Sequence, residues 1–169
     1  WQITKIKYIS SVISKGTTPT TINHEIKEKG EIRFLKSEHI SEGKLIKSKE
    51  YFIDKETDEI LKRSSLKEND VLVVITGLVG NTAILTRDFL PANTNQNISF
   101  IRPLKYEFSK IIYWWMQTDF IKVIINQLSN TNVQASLSME DLGNLPIAIS
   151  PVYERKLINR YLDNKTQKI

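Results

Sequence analysis

The chain has 169 residues, no cysteine, 40% hydrophobic and 25% charged residues, and 24 Lys and Arg against 19 Asp and Glu. This is the composition of one globular domain that buries its own core. The missing thiols exclude a disulfide scaffold, a cysteine nucleophile, an iron–sulfur cluster and a thiolate zinc site. The only histidines, His24 and His39, stand fifteen positions apart, so no metal site is favoured. The most apolar stretch, residues 111–128, is interrupted by Gln117, Asp119, Lys122, Asn126 and Gln127 and cannot span a bilayer. Residues 1–15 lack the apolar core and cleavage site of a signal peptide. A cytoplasmic protein without membrane contact is expected.

A net charge of +5 and a pI near 9.3 favour a polyanionic partner. The distribution is more informative than the sum. Between Val71 and Ile101 the only charged residues are Arg87 and Asp88, while amides and hydroxyls abound and Lys and Arg crowd the flanks. A basic rim that attracts phosphate around a neutral, hydrogen-bonding centre is how sequence-selective DNA binding divides its labour.

In chain order, Ile6, Ile9 and Ile13 fit either a short helix or a twisted extended segment. Gly16 and the Thr18-Pro19 step end any helix, so residues 15–21 read as a loop. Residues 32–35 form a short β-like run, and 37–43 a connection ending in a glycine turn. Residues 54–66 carry Ile60 and Leu61 among many charges, the pattern of a solvated helix on the edge of the core. The strongest β signal is 71–76, separated by Gly77-Leu78-Val79-Gly80 from a second run at 82–86, which implies a hairpin. Residues 93–97 read as a polar loop before a third strand at 98–102. Apolar residues from Phe108 to Leu128 recur at helical steps, with a break near Thr118. Ser138 and Asp141 resemble a helix-capping pair, residues 145–149 a short strand, and Ser150-Pro151 the start of a last helix. That helix puts Ile158, Tyr161 and Leu162 on one apolar stripe. The expected fold is α/β (α+β): a single domain with a mixed twisted sheet and flanking helices over 1–150, then the start of a long helix over 151–169.

Catalytic constellations are weak. No glycine-flanked serine elbow accompanies either histidine. Glu25 and Lys27 have the acid–base spacing of some nucleases but no preceding Pro-Asp. The glycine pair at 77 and 80 lacks the third glycine and following helix of a dinucleotide fingerprint. It also lacks the polar middle residues and helical flanks of a KH clamp. Trp114 and Trp115 could stack on single strands, although an amphipathic helix places at least one of them in the core. Three uncharged loops dense in hydrogen-bonding groups, at 17–21, 93–97 and 129–134, are the features least easily assigned to simple solvation.

The order of features resembles a known family. Ile13-Ser14-Lys15-Gly16-Thr17-Thr18-Pro19, Ile32-Arg33-Phe34-Leu35-Lys36-Ser37, Asn69-Asp70 with the strand and glycine turn up to Leu85, Ala92-Asn93-Thr94-Asn95-Gln96-Asn97, Leu137-Ser138-Met139-Glu140-Asp141-Leu142 and Pro151-Val152-Tyr153-Glu154-Arg155 follow one another. Together they resemble a target-recognition domain of the DNA specificity subunit of type I restriction-modification systems, over nearly the whole chain. Arg155 stands where glutamine is usual and Val152 where leucine is, and residues 44–63 match only loosely. The resemblance implies a noncatalytic module that reads one half of a split duplex target, with residues 151–169 beginning a spacer helix. It implies no cofactor in this chain. S-adenosylmethionine and ATP belong on partner subunits, namely the modification (methyltransferase) subunits and, indirectly, a motor-nuclease. A second copy or second recognition domain would pair through the spacer helices. A small nuclease, or the recognition domain of a fused methyltransferase-nuclease, is the alternative.

The residues expected to face DNA are Lys15, Thr17, Thr18, Thr20, Lys36, Ser37, Glu38, His39, Thr76, Gly77, Asn93, Asn95, Gln96, Asn97, Ser129, Asn130, Asn132 and Gln134. Lys15 and Lys36 would hold phosphates and the amides would meet base edges. Ile158, Tyr161 and Leu162 are expected to pack on a partner helix.

Overall fold

The computed structural model describes residues 1–129 and 135–166. In chain order the elements are β1 (Gln2–Lys5), β2 (Ser10–Lys15), β3 (Ile32–Leu35), β4 (Ile40–Ser41), β5 (Lys44–Leu45), β6 (Phe52–Ile53), α1 (Lys55–Ile60), β7 (Val71–Val74) and β8 (Thr82–Ile84). They continue with β9 (Ala92–Thr94), β10 (Ile98–Pro103), α2 (Glu107–Met116), α3 (Asp119–Ser129), α4 (Met139–Asn144), β11 (Pro146–Ile149) and α5 (Val152–Thr166). Short 3₁₀ turns fall at Ile6–Ile9, Pro19–Ile22, Ser37–His39, Lys62–Ser64 and Arg87–Phe89. The mixed α+β character expected of the sequence is what the chain adopts.

The centre is a four-stranded antiparallel sheet in the order β2-β10-β7-β8. Its strand β7 explains the unbroken apolar run, because both faces of the sheet are covered. Val71 and Val73 point, with Ile101, into a core made with Ile112 and Met116 of α2, Ile121 and Ile125 of α3, Leu142 of α4 and Ile147 of β11. Leu72 and Val74 point the other way, with Ile98 and Phe100, against Leu35, Ile40, Ala83, Leu85 and Phe89. Alternate side chains of a strand face opposite sides, so a strand packed on both sides must be apolar at every position. A second sheet, β6-β3-β9, pairs β3 with β9 in parallel, and β1 pairs with β11.

Local chemistry accounts for the helix boundaries. Asp54 caps α1 by accepting from the Thr57 amide at 2.9 Å. The helix is shorter than the expected 54–66, because the chain turns after Leu61 to bury Leu61, Ser64 and Leu66. Thr118 separates α2 from α3: its hydroxyl donates to the Trp115 carbonyl at 2.7 Å and accepts from the Ile121 amide at 3.4 Å. Ser138 caps α4 through the Asp141 amide at 3.0 Å, as the sequence predicts. The ambiguous segment after Lys5 is neither a helix nor one strand, but two strands joined by the 3₁₀ turn that buries Ile6 and Ile9. Among the described residues no helix is long and apolar enough to cross a membrane.

The last helix is tied to α2 at its root. Arg155 is buried; its Nη1 donates to Glu107 at 3.0 Å, its Nη2 donates to the Ser150 carbonyl at 3.0 Å, and its guanidinium lies 4.5 Å from the Phe108 ring centre. Lys110 and Asp163 add an ion pair further along. The expected stripe on this helix divides. Ile158 and Leu162 turn inward and line an apolar groove with Ile111 and Trp114 of α2, whereas Tyr161 is exposed. Besides Val152, the outward apolar side chains are Tyr153, Leu157 and Tyr161, four residues apart and therefore on one face.

Candidate nucleic-acid interface

Antiparallel pairing puts the end of β2, the start of β10, the end of β7 and the start of β8 at one end of the central sheet. The loops that the sequence singles out are the connections at that end. The Ile75 amide donates to the Asn97 carbonyl at 2.8 Å, joining the loop after β7 to the loop before β10. The parallel pairing of Leu35 with Thr94 brings Lys36 to the same end, and the Asn95 amide donates to the Leu35 carbonyl at 3.3 Å. Gly16 crosses this junction so closely that a Cβ there would lie 1.8 Å from the Thr94 carbonyl oxygen. Beyond it, the Thr18 side chain meets the Gln96 side-chain oxygen. Thr76 bridges to Ser136, and the Ser136 amide donates to the Ser129 carbonyl at the end of α3.

Convergence does not make every member available. Lys15, Thr20, Glu38, Gly77 and Gln96 are exposed, and Thr17, Thr18, Lys36, Ser37, Thr76 and Asn97 are partly so. Asn93 and Asn95 are buried, against the expectation of a solvated loop, because residues 92–94 form β9 rather than a turn. The Asn93 amide donates to Asp58 at 2.9 Å and to the Leu61 carbonyl at 3.2 Å, while its oxygen accepts from the Thr94 amide at 2.8 Å. The Asn95 side-chain oxygen accepts from the Asn97 amide. His39 is also buried: Nδ1 accepts from the Lys36 amide at 2.9 Å and Nε2 donates to the Lys49 carbonyl at 3.0 Å. Ser129 is turned in, its hydroxyl bonded to the Asn126 carbonyl. These four build the loops rather than line their surface. Asn130, Asn132 and Gln134 lie outside the described residues.

The glycine pair forms a hairpin turn, with positive φ at Gly77 (85°) and Gly80 (93°), a backbone region that glycine enters without steric penalty. Beside it a cleft of about 620 Å³ opens between this turn, the Glu42-Gly43 turn and α3. Asn81, Gln117, Lys122 and Asn126 line it, and none of them was singled out from the sequence. The usable signal was Lys122 and Asn126, polar residues four apart and therefore on one face of α3. Tyr51 was missed as well: Lys36 Nζ lies 3.3 Å from its ring centre and the His39 ring meets it edge-on.

The nuclease constellation does not assemble. Lys27 Nζ is paired with Asp54 at 2.7 Å; this carboxylate raises the lysine pKa, the wrong direction for an amine that must give up a proton near neutrality. The same pairing, with the Thr57 bonds, holds Asp54 well below the usual carboxylate range. Among the described residues no three His, Asp or Glu side chains gather as metal ligands. Trp115 bonds through Nε1 to the Pro146 carbonyl at 2.7 Å and Trp114 lines the apolar groove under α5, so neither forms an open stacking platform.

The model of the type I restriction modification DNA specificity domain family matches residues 1–169. The chain belongs to that family. Over 112 residues this specificity domain is 27% identical to the EcoBI type I restriction enzyme specificity subunit of Escherichia coli, covering 66% of the chain and 23% of that relative. Solved structures share the fold. One chain of a type I restriction-modification system, from work on its assembly and conformational transition, aligns with TM-score 0.72 at 17% identity. The HsdS subunit of Thermoanaerobacter tengcongensis aligns at 0.63 and 17%, and an S subunit from M. genitalium at 0.65 and 14%. These alignments cover 99% of the specificity domain but 38%, 37% and 39% of the solved chains. The domain thus spans under a quarter of the curated relative and about two fifths of the solved chains.

Proposed function

We propose that this specificity domain reads one half of a bipartite duplex target and performs no chemistry itself. The observation that carries this reading is the convergence of the loops at 16–20, 36–39, 75–81 and 95–97 on one end of the central sheet, joined by the bonds described above. Neutral tips there, Thr18, Thr76, Gln96 and Asn97, would meet base edges, and Lys15, Lys36 and Lys122 would hold phosphates. Major-groove edges present a distinct donor and acceptor pattern for each base pair, which neutral amides and hydroxyls can match. Lysines on phosphates add affinity without sequence information. Asn130, Asn132 and Gln134, outside the described residues, remain part of the proposed reading surface.

The partners follow from the same reading. Methyltransferase subunits would carry S-adenosylmethionine, and a motor-nuclease would carry ATP. The face of α5 that bears Tyr153, Leu157 and Tyr161 would meet a helix from a second recognition domain or second copy. The working compartment is the cytoplasm.

Binding to a randomised duplex pool, measured as a function of salt, tests this. A selected consensus and a steep fall of affinity with salt are expected, and changing Lys15 and Lys36 together to Gln should lower the log–log slope by about 2. Equal affinity for melted strands, or cleavage with magnesium that disappears in Glu25→Gln, would overturn it.

A further inference from the structure

Resting on that reading, we infer that Glu38 is a base-reading residue, whose carboxylate accepts from the 4-amino group of a cytosine in the major groove. It is the only carboxylate in the four converging loops, and it is exposed. A negative charge on a surface meant for phosphates weakens binding to every sequence, so its presence calls for a compensating contact.

The surrounding structure holds this residue in place. The turn Ser37–His39 is closed by the His39 amide donating to the Lys36 carbonyl at 2.9 Å and by the Lys36 amide donating to His39 Nδ1 at 2.9 Å. The buried His39 ring is fixed on its far side by the Lys49 carbonyl. The Glu38 carboxylate beside the Tyr51 hydroxyl raises the tyrosine pKa. Lys36 and Lys49 lie against the Tyr51 ring, at 3.3 and 5.6 Å from its centre. Even so, among the described residues Glu38 forms no ion pair. An ionised carboxylate has about four acceptor positions, more than the one neighbouring hydroxyl of Tyr51 can fill. Tyr51 and His39 are positioning residues, and Lys36 sits beside the carboxylate as a phosphate anchor.

The chemistry selects the base. An ionised carboxylate can only accept. Guanine shows two acceptors in the major groove and thymine an acceptor and a methyl group, so both repel it or leave it unpaired. Adenine sets its amino donor beside the N7 acceptor, a pattern suited to an amide. Cytosine shows only the amino donor.

The test is selection from a duplex pool with a randomised centre by the wild type, Glu38→Gln and Tyr51→Phe. In Glu38→Gln the preference for cytosine at one position should fall by about 5- to 150-fold, while affinity for unrelated duplex holds or rises because a negative charge is gone. Tyr51→Phe should weaken the same position by a smaller factor and leave the salt slope unchanged, a pattern that mere loosening of the fold would not produce. A Glu38→Gln consensus identical to the wild type, or one relaxed at adenine, guanine or thymine, overturns the assignment. A wild-type pool that stays random instead overturns the DNA-reading proposal, and the cytosine contact with it.

Discussion

Gly16→Ala tests the junction on which the interface depends. The added Cβ would lie 1.8 Å from the Thr94 carbonyl oxygen, 2.2 Å from the Thr94 carbonyl carbon and 2.6 Å from the Asn95 oxygen. All three are backbone atoms, so no side chain can swing away. Reaching an ordinary contact means parting two chain segments by about 1.6 Å. One of them is the end of β2, hydrogen-bonded to β10 through Gly16 itself. Overpacking costs about 1 to 3 kcal/mol where side chains can adjust, and a backbone obstacle places this substitution at about 3 kcal/mol or above. In a domain of this size that lowers Tm by about 6 to 12 °C. The measurement is thermal unfolding of the two proteins, followed by duplex binding below both transitions. Binding should weaken too, because Thr18 and Gln96 are separated by the same movement. A Tm within about 1 °C of the wild type, with binding intact, would show that the crossing is looser than described.

The buried and exposed amides should behave oppositely. Asn93→Ala leaves the Thr94 amide without its side-chain acceptor and should cost about 1 to 3 kcal/mol in urea denaturation with the selected DNA sequence unchanged, whereas Gln96→Ala should leave stability within about 0.5 kcal/mol and relax one target position. Burial pushes the Asp70 carboxyl above its ordinary value despite its two bonds to Arg102. The folded state therefore keeps this proton longer than the unfolded one, and the group's contribution is fullest below pH 3.8 and lost as pH rises through the folded value. Asp70→Asn should accordingly lose less stability than the wild type between about pH 4 and pH 7, besides a general loss of about 3 kcal/mol from leaving Arg102 unpaired; parallel pH curves would contradict this. Arg155→Gln gives up the Glu107 pair and the Phe108 contact, for about 1.5 to 3 kcal/mol. Amides of α5 should then exchange with solvent faster than those of the central sheet, and unchanged exchange would count against this role of Arg155.

Much of the scaffold was legible because it is written in local or periodic signals. The doubly buried β7, its hairpin with β8, the break at Thr118 and the Ser138 cap each depend on neighbouring residues. What escaped is set by distant pairings. Asn93 and Gln96 look alike in sequence, and only the parallel pairing of β9 with β3, some sixty positions away in the chain, turns one inward and leaves the other out. The sequence places His39 on the DNA-facing surface because nothing nearby in it announces the Lys49 carbonyl that its ring turns inward to meet. The stripe on α5 divides for the same reason: periodicity groups Ile158, Tyr161 and Leu162, and only the placement of α2 makes Ile158 and Leu162 line a groove while Tyr161 stays exposed.

The Arg155 clamp makes the root of α5 a fulcrum. The eleven residues of that helix beyond Arg155 reach about 16 Å at 1.5 Å each, so a swing of about 5° at the clamp carries the far end roughly 1.4 Å, about two fifths of the 3.4 Å between stacked bases. If two half-words are read as proposed, a substitution at Arg155, remote from every loop tip, should therefore change how far apart they must lie while leaving the spelling of each untouched.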